Sequence, residues 1–236
     1  MRRISFGILA WALLLPANAA AQDYQTGLKA AGSGNYAAAL KEWRPLAAKG
    51  HAQAQHDLGL MYRHGRGVKR DYAQAAKWYR KAAEQGVAAS QLALGRLYVA
   101  GRGIKKDFPK ALNWFRMAAA QRSAAAKNNL GYMYRYGKGV SPDIGKAIIW
   151  YIDAGSQGYA PALDNLGMLF ANGRRVPKDY VEAYKWLTLA TSFGSSRAAR
   201  YLKYVTKKMN AAQVTEAKSL ARDWIAEFRQ RKKNRP

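Results

Sequence analysis

Three histidines are the side chains best suited to metal binding. His51, His56 and His64 lie 5 and 8 positions apart along one helical segment, which places them about 140° and 80° apart around a helix. Their side chains therefore do not converge as metal ligands should, and no carboxylate cluster adds further ligands. The chain also contains no cysteine, which excludes thiolate ligands, cysteine nucleophiles and disulfides. The sequence predicts no metal and no cofactor.

Common hydrolase motifs are missing as well. No S-x-x-K, G-x-S-x-G or H-E-x-x-H string occurs, and such strings carry the nucleophiles and bases of the commonest hydrolases. Four aspartates instead recur at one fixed spacing, at Asp71, Asp107, Asp143 and Asp179. A catalytic group has no reason to recur with a structural period, so we expect these residues to cap helices. The sequence predicts a protein that is not an enzyme.

Glycine pairs could cradle a phosphate, but their context favours turns. They stand at 65 and 67, 101 and 103, and 137 and 139, each with a basic residue between them. Each pair follows a predicted helix rather than a strand, whereas phosphate loops connect a strand to a helix. The fourth copy has Arg175 in place of the second glycine. We therefore interpret these strings as turns.

A repeat of 36 residues positions all of these side chains. Four residue types share the same register, and a fixed period of this length is the signature of a repeat architecture. The tryptophans are Trp78, Trp114, Trp150 and Trp186, and the Leu-Gly pairs begin at Leu58, Leu94, Leu130 and Leu166. The aspartates named above and the aromatic residues Tyr62, Tyr98, Tyr134 and Phe170 complete the set.

Each unit is predicted to be a pair of helices. Apolar residues follow helical spacing on either side of the glycine turn. We expect the large tryptophans and tyrosines to fill the space between helices, while the glycine of each Leu-Gly pair allows close approach. Glycines should end the second helices in a left-handed conformation at Gly50, Gly86, Gly158 and Gly194. Arg122 takes this position once and should carry a modest strain.

The chain divides into five parts by this reading. Residues 1–21 resemble a secretory signal peptide, with Arg2 and Arg3 before a short apolar run and a small-residue site near Ala21. That run is too short to cross a membrane, so we expect a periplasmic or secreted protein without a transmembrane segment after cleavage. A tetratricopeptide-like hairpin follows at 22–50. Four repeats come next, at 51–86, 87–122, 123–158 and 159–194, and then capping helices at 195–228 and a basic disordered tail at 229–236.

The repeat resembles a known family. The pattern A-x-A-x-x-x-L-G-x-M/L-Y-x-x-G-x-G-V, followed by D-Y/F-x-x-A-x-x-W-Y/F-x-x-A-A-x-x-G, is similar to the Sel-one-like repeat (SLR) of the tetratricopeptide-repeat superfamily. The resemblance implies an all-α fold, an α-solenoid in which helix-turn-helix repeats form a right-handed superhelix. It also implies a concave surface, lined by the first helices, that binds proteins or peptides. Some cysteine-rich members act on penicillins, but this chain lacks those cysteines.

Charge adds a first candidate surface. Lysine and arginine number 40 against 14 aspartates and glutamates, a formal net charge of +26. Residues in one phase of a solenoid form a line on its surface, and we call the basic residues of two loop phases the basic ridge. The ridge is either a solvated surface or an attractor of acidic partners. It comprises Arg66, Arg70, Arg102, Lys106, Lys138, Arg174 and Lys178.

The first helices give a second candidate surface. Side chains expected on their open face vary between repeats, as they would in a surface that recognises an irregular ligand or in an idle one. We call this set the groove residues. They are His56, Arg63, Arg96, Asn129, Tyr132, Arg135, Tyr136 and Asn165.

Three functional hypotheses follow. The first is an exported scaffold or regulator that holds a protein partner, acidic or extended, in the groove. The second is binding of a polyanion, either an anionic polysaccharide or a membrane surface, through the basic ridge. The third and least favoured is an envelope hydrolase of the β-lactamase type. Nucleic acid suits the charge but not an exported protein.

Overall fold

The computed structural model describes residues 15–234, and every regular element in that range is a helix. The all-α solenoid expected from the repeat is thereby confirmed. The twelve helices are α1 Leu15–Gly32, α2 Tyr36–Ala48, α3 Ala52–His64, α4 Tyr72–Glu84, α5 Ala88–Ala100, α6 Phe108–Ala120, α7 Ala124–Tyr136, α8 Ile144–Gly155, α9 Ala160–Asn172, α10 Tyr180–Ser192, α11 Ser196–Thr206 and α12 Ala211–Lys233.

The helices form two compact units. The first contains α1 to α5 and ends at Asp107, and the second begins at Phe108 and contains α6 to α12. In the first unit, Trp43, Leu40 and Leu58 belong to a buried cluster. In the second, a larger buried cluster contains residues of every helix from α7 to α12, among them Leu163 and Leu166. No helix within residues 15–234 is long and apolar enough to span a membrane.

Hairpins close by packing an aromatic or leucine side chain against a helical glycine. A Cβ added to Gly59 would lie 2.5 Å from Tyr79 Cδ1, and one added to Gly131 would lie 2.6 Å from the Tyr151 ring. Such distances are far below van der Waals contact. Gly59, Gly131 and Gly167 are therefore required by the side chains of their facing helices.

The expectation that tryptophans and tyrosines fill this space is confirmed for Tyr79 and Tyr151 and is wrong for most of the tryptophans. Trp78, Trp114 and Trp150 are only half-buried. The residue that follows each tryptophan is the one that is fully buried, and in three of the four repeats it lies against a helical glycine, Gly59, Gly131 or Gly167. These residues are Tyr79, Phe115, Tyr151 and Leu187, each at most 1% exposed. Trp43 occupies this same phase 36 residues before Tyr79 and is 2% exposed.

Caps and turns follow the sequence. Asp71 Oδ1 accepts hydrogen bonds from the backbone N–H groups of Ala73 and Gln74 at 2.8 and 3.0 Å, and Asp143 and Asp179 cap α8 and α10. Gly50, Gly86, Gly158 and Gly194 all have positive φ, as expected, and Arg122 adopts φ 65°. Arg175, which replaces a loop glycine, also has a positive φ of 68°.

The loop glycines allow each turn to lie against the start of an earlier second helix. A Cβ on Gly139 would lie 2.6 Å from the Phe108 carbonyl carbon, and one on Gly67 would lie 2.9 Å from Tyr36 Cβ. In these loops the second glycine therefore has a packing role. The turn interpretation explains this glycine without a phosphate ligand.

The segment after Gly194 continues the repeat for one more helix. Ala198, Leu202 and Val205 of α11 stand 36 residues after Ala162, Leu166 and Leu169 of α9, and α11 packs against α9 and α10. The final helix α12 packs against α10 and begins with a capping box formed by Asn210 and Gln213. The expected closing pair is thus one further first helix and a long covering helix.

The two terminal segments lie only partly within the described residues. The predicted signal peptide falls mostly outside the described residues, and α1 already begins at Leu15, so the expected cleavage point near Ala21 falls within α1. At the other end, α12 continues to Lys233, although composition indicates a disordered tail from 229. No glycine or proline interrupts residues 211–233, and the basic side chains of the last turn complement the negative end of the helix dipole.

Candidate functional site

In the first unit, the groove residues differ in how free their side chains are. The half-buried His56 Nδ1 lies 2.7 Å from Ser90 Oγ, and its ring lies 5.6 Å from that of Tyr79. Burial lowers the pKa of His56, and the nearby Asp57 opposes that shift. Arg96 on α5 is exposed. Of the groove residues in this unit, Arg96 is therefore the one most open to a partner.

The contact between His56 and Ser90 has the residue types of a nucleophile and its base. Ser90, however, is 0% exposed, so no substrate can reach its hydroxyl. His51 serves a helix cap, because its Nδ1 accepts a hydrogen bond from Ala54 N at 3.2 Å. Within residues 15–234 no three histidine or acidic side chains are grouped as metal ligands would be. We interpret His51 and His56 as structural.

Arg63 and Arg135 have partners inside the fold. Arg63 lies beside the buried hydroxyl of Tyr79, and its charge counteracts the burial that raises the pKa of Tyr79 to about 12. Among the described residues, Tyr79 Oη makes no well-formed hydrogen bond, so Arg63 acts on it mainly through charge. Arg135 stands in the same relation to Tyr151, whose pKa is also raised by burial.

Internal comparison of the repeats supports this pairing. At the position of Arg63 and Arg135, the other two repeats have Val99 and Ala171. At the position of Tyr79 and Tyr151, they have Phe115 and Leu187. An arginine is thus present only where a tyrosine hydroxyl is buried opposite it, as the cost of burying an unpaired polar group requires. Packing therefore accounts for the variation at this position, which the sequence left open between recognition of an irregular ligand and an idle surface.

A second pair varies in the same way. Arg80 Nη2 donates to Tyr98 Oη at 3.0 Å, and Arg116 Nη2 donates to Tyr134 Oη at 3.1 Å. In the next copy the equivalent positions are Ile152 and Phe170, so both polar groups are lost together. These bonds join the second helix of one repeat to the first helix of the next.

In the second unit, an exposed aromatic pair stands out on α7. Tyr132 is 42% exposed and Tyr136 is 50% exposed, and their ring centroids are 4.7 Å apart. The Arg135 guanidinium lies 5.1 Å from the centroid of the Tyr136 ring. One face of α7 therefore presents two flat apolar surfaces beside a cation.

The two groove asparagines are held by hydrogen bonds. Asn129 Nδ2 donates to the Ala125 carbonyl at 2.9 Å, within α7. Asn165 Nδ2 donates to Asn128 Oδ1 at 2.9 Å and so connects α9 to α7. Both side chains are half-buried, and each has donor or acceptor capacity left for a ligand.

Basic-ridge residues stack on aromatic rings of their own unit. In the first unit, Arg66 lies 5.5 Å from the Tyr36 ring centroid, and Arg102 and Arg70 lie 5.6 and 5.9 Å from that of Tyr72. All three are exposed, as is Lys106. Cation–π contacts of this kind are worth about 0.5–1 kcal/mol at exposed sites, so Arg66 and Arg102 help to hold their loops to the preceding repeat, while Arg70 stacks within its own repeat.

The second unit repeats the arrangement in part. Lys138 Nζ lies 5.3 Å from the Phe108 ring centroid, and Lys178 Nζ lies 5.9 Å from that of Tyr180. Arg174 is exposed, and the residue 30 positions before it is Ile144, whereas the residue 30 positions before Lys138 is Phe108. Arg174 therefore has no ring in the equivalent place.

Sequence reasoning missed candidate residues on α11. Arg200, Tyr201 and Tyr204 stand 36 residues after Asp164, Asn165 and Met168, and Arg200 and Tyr204 share the phases of His56 and Tyr132. They were overlooked because 195–208 was assigned to a cap. The signal was present in Ala198, Leu202 and Val205, which keep the apolar register of a first helix.

The hairpin repeat, its glycine-packed interior and the partly polar face of its first helices define the class as a helical repeat protein. The Sel1 repeat model matches residues 52–87, 88–123, 124–159 and 160–192, so the chain belongs to the Sel1 repeat family. The resemblance drawn from the sequence is confirmed. No curated protein matches this chain.

Solved structures agree with the family. A protective antigen present in uropathogenic Escherichia coli strains, which displays an SLR fold, is 28% identical with a TM-score of 0.75 over 92% of this chain and 49% of its own. The chain therefore spans about half the length of that protein. A Sel1 repeat protein from Oxalobacter formigenes is 29% identical with a TM-score of 0.72, over 85% and 82%.

A third structure shows similarity of fold alone. It is an immunity protein from Pseudomonas aeruginosa that is 24% identical with a TM-score of 0.53, over 90% of this chain and 81% of its own. Sel1 repeat proteins generally mediate protein–protein interactions on a scaffold that is generally non-catalytic.

Proposed function

We propose that this chain is an exported, non-catalytic scaffold or regulator that holds an extended, acidic segment of a partner protein on the first helices of its repeats. The observation that carries the proposal is the α7 face, where the exposed rings of Tyr132 and Tyr136 pack together and Arg135 stacks on Tyr136. Aromatic and arginine side chains are the residues that most often dominate binding energy in protein interfaces.

Charge supports an acidic partner. The chain carries a formal net charge of +26, and such a field accelerates encounter with anionic surfaces and raises their local concentration. Arginine pairs with carboxylates through two parallel hydrogen bonds, and Arg96 in the first unit offers such a group on α5. The exported location rests on the residues before Ala21, and Arg63 and His56 are proposed as supports of the surface rather than direct contacts.

Polyanion binding through the basic ridge is the alternative. The exposure of Arg66, Arg102 and Arg174 favours it, while the stacking of Arg66 and Arg102 on Tyr36 and Tyr72 already gives those cations a role in the fold. A polysaccharide or an anionic membrane surface would bind with an affinity that falls steeply with salt.

Site-specific photo-crosslinking in the producing cell tests the proposal. A photoreactive phenylalanine analogue at position 132 should capture one defined protein, and the same analogue at Ile149, which is 65% exposed on α8, should not. Capture should be lost in Arg135→Val combined with Tyr151→Phe, which reproduces Val99 and Phe115 of the second repeat and leaves no buried hydroxyl without a partner, and it should be retained in Arg66→Gln with Arg102→Gln. Equal capture from both positions, or loss only in the ridge variant, would contradict groove binding.

A further inference from the structure

We propose that α11 carries a second recognition site, in which Arg197, Arg200, Tyr201 and Tyr204 bind a carboxylate side chain of an acidic peptide segment. The inference rests on the proposed function, because its ligand is a segment of the same chemical class. It adds a location, a binding group and a positioning residue that the repeat pattern did not assign.

An open cavity lies at the end of the second unit. It has a volume of about 500 Å³ and is lined by Asn172 at the end of α9 and by four side chains of α11. Three of the four, Arg200, Tyr201 and Tyr204, occupy the phases of groove residues in earlier repeats. The cavity thus lies on the face of α11 that corresponds to the face of α7 carrying Tyr132 and Tyr136.

The side chains of this cavity are accessible and positively charged. Tyr201 is 38% exposed and Tyr204 is 52% exposed, and the side chain of Arg197 is 51% exposed. Helix α11 contains two arginines and a lysine but no acidic residue. Lys208 Nζ adds a further cation 6.0 Å from the centroid of the Tyr204 ring. Charge complementarity therefore selects an anionic ligand, and the two rings can pack against its apolar part.

A buried carboxylate holds one of the two arginines in place. Asp164 on α9 is 2% exposed, and its Oδ2 accepts a hydrogen bond from Arg197 Nε at 2.6 Å and another from Ser195 Oγ at 3.1 Å. Asp164 Oδ1 has no partner among the described residues. Arg197 is thus held through Nε alone, and no hydrogen bond within residues 15–234 occupies its two Nη groups.

This geometry suits carboxylate recognition. Two Nη groups on a planar guanidinium form a fork that matches the two oxygens of a carboxylate, and an arginine fixed by a buried partner loses less conformational entropy on binding. Arg200 lies one turn further along the same helix and supplies a second cation. Asp164 acts through Arg197 and is a positioning residue.

Peptide binding to the full chain tests the site. The probe is a fluorescein-labelled peptide of alternating glutamate and leucine with both ends blocked, and its glutamine counterpart is the charge control. Arg200→Gln and Tyr204→Ala should each weaken binding of the glutamate peptide by about tenfold, the usual effect of losing one hydrogen bond to a charged group or one aromatic anchor. Lys203→Gln is the matched control, because it removes the same charge from α11 outside the cavity, and it should change the affinity by less than about threefold.

Asp164→Asn separates positioning from charge. If Asp164 only neutralised Arg197, its loss would make the site more positive and strengthen binding of the peptide. If it positions Arg197, binding weakens, and circular dichroism confirms that the variant is folded. Should Asp164→Asn not fold, the positioning role is contradicted in favour of a purely structural one, and the exposed variants still decide whether the cavity binds.

The outcomes distinguish this site from the proposed function. Absence of binding to the wild-type chain, or equal loss in Arg200→Gln and Lys203→Gln, overturns the α11 site but leaves the crosslinking result at position 132 untouched. Binding that Tyr132→Ala weakens and Arg200→Gln does not also overturns it, while supporting the groove on α7.

Discussion

At the scale of single residues, much of the variation between repeats is explained by internal partners. Arg63 and Arg135 appear where Tyr79 and Tyr151 bury a hydroxyl, and His56 is bound to Ser90. The sequence alone identified these positions as variable but could not reveal their partners, because each partner lies on another helix. What remains exposed and without an internal role is a smaller set, led by Arg96 and Tyr132.

A double-mutant cycle tests the arginine and tyrosine pair. Arg135→Val should destabilise the chain by about 1–3 kcal/mol, the cost of leaving a buried hydroxyl without its partner. In the Tyr151→Phe background the same change should cost much less, since the double variant reproduces Val99 and Phe115 of the second repeat. Urea unfolding measures both, with Arg96→Ala as an exposed control. Additive effects would mean that the two side chains are not coupled.

His56 should make stability depend on pH. Burial lowers its pKa, so the folded chain keeps it neutral while the unfolded chain takes up a proton near pH 6.5. Its contribution is therefore complete above pH 6.5 and is lost as the pH falls below that value. Asp57, whose pKa burial raises, acts in the opposite direction.

The measurement compares two pH profiles. Urea midpoints of the wild type should fall more steeply between pH 7 and 5 than those of His56→Asn, which copies Asn128 of the third repeat. Parallel profiles would show that His56 is protonated equally well in the folded chain.

At the scale of helices and hairpins, the sequence predicted the elements well and their contacts less well. Helical periodicity, aspartate caps and glycine turns gave the α3 to α10 hairpins, because these signals are local. The choice between Trp78 and Tyr79 as the buried residue was not local. It depends on which of two neighbouring side chains faces Gly59. That choice is set by how far the second helix is rotated about its own axis when it packs against the first.

Truncation of neighbouring residues on α6 tests this correction. Phe115→Ala should cost about 3–5 kcal/mol, since the ring is 1% exposed and its loss leaves a cavity. Trp114→Ala should cost only about 1–2 kcal/mol, because its ring is half-buried and loses less apolar area. Denaturant melts of the two variants make the comparison, and the reverse order would restore the tryptophans to the centre of the hairpins.

At the scale of the whole molecule, charge is the dominant feature. The chain has 40 basic residues and 14 acidic ones. Among the described residues a few ion pairs join them, such as Lys127 with Asp153 at 2.7 Å. Like charges repel within a folded chain, and salt screens that repulsion over a Debye length of about 8 Å at 0.15 M. The same screening reduces the repulsion between the cations that stack on aromatic rings.

Salt should therefore stabilise the fold. Raising sodium chloride from about 50 to 500 mM is expected to raise the urea midpoint, because screening relieves repulsion in the compact state more than in the expanded one. Sodium chloride is suitable because it is a weak stabiliser of ordinary proteins, and a neutral protein of similar size serves as the comparison. A midpoint that falls with salt would show that attractive pairs outweigh the repulsion.

The two arginine and tyrosine pairings differ in what they join. Arg63 and Tyr79 belong to one repeat, but Arg80 reaches forward to Tyr98 of its successor. A repeat of 36 residues moved into another array would therefore keep the contact of its own arginine and tyrosine, as in Arg63 and Tyr79. It would lose the hydrogen bond to the next repeat, as in Arg80 and Tyr98. Recombination within this gene would exchange repeats without loss only when the next repeat supplies a tyrosine hydroxyl at the position of Tyr98. The other permitted case is a boundary at which both positions are apolar, as Ile152 and Phe170 are.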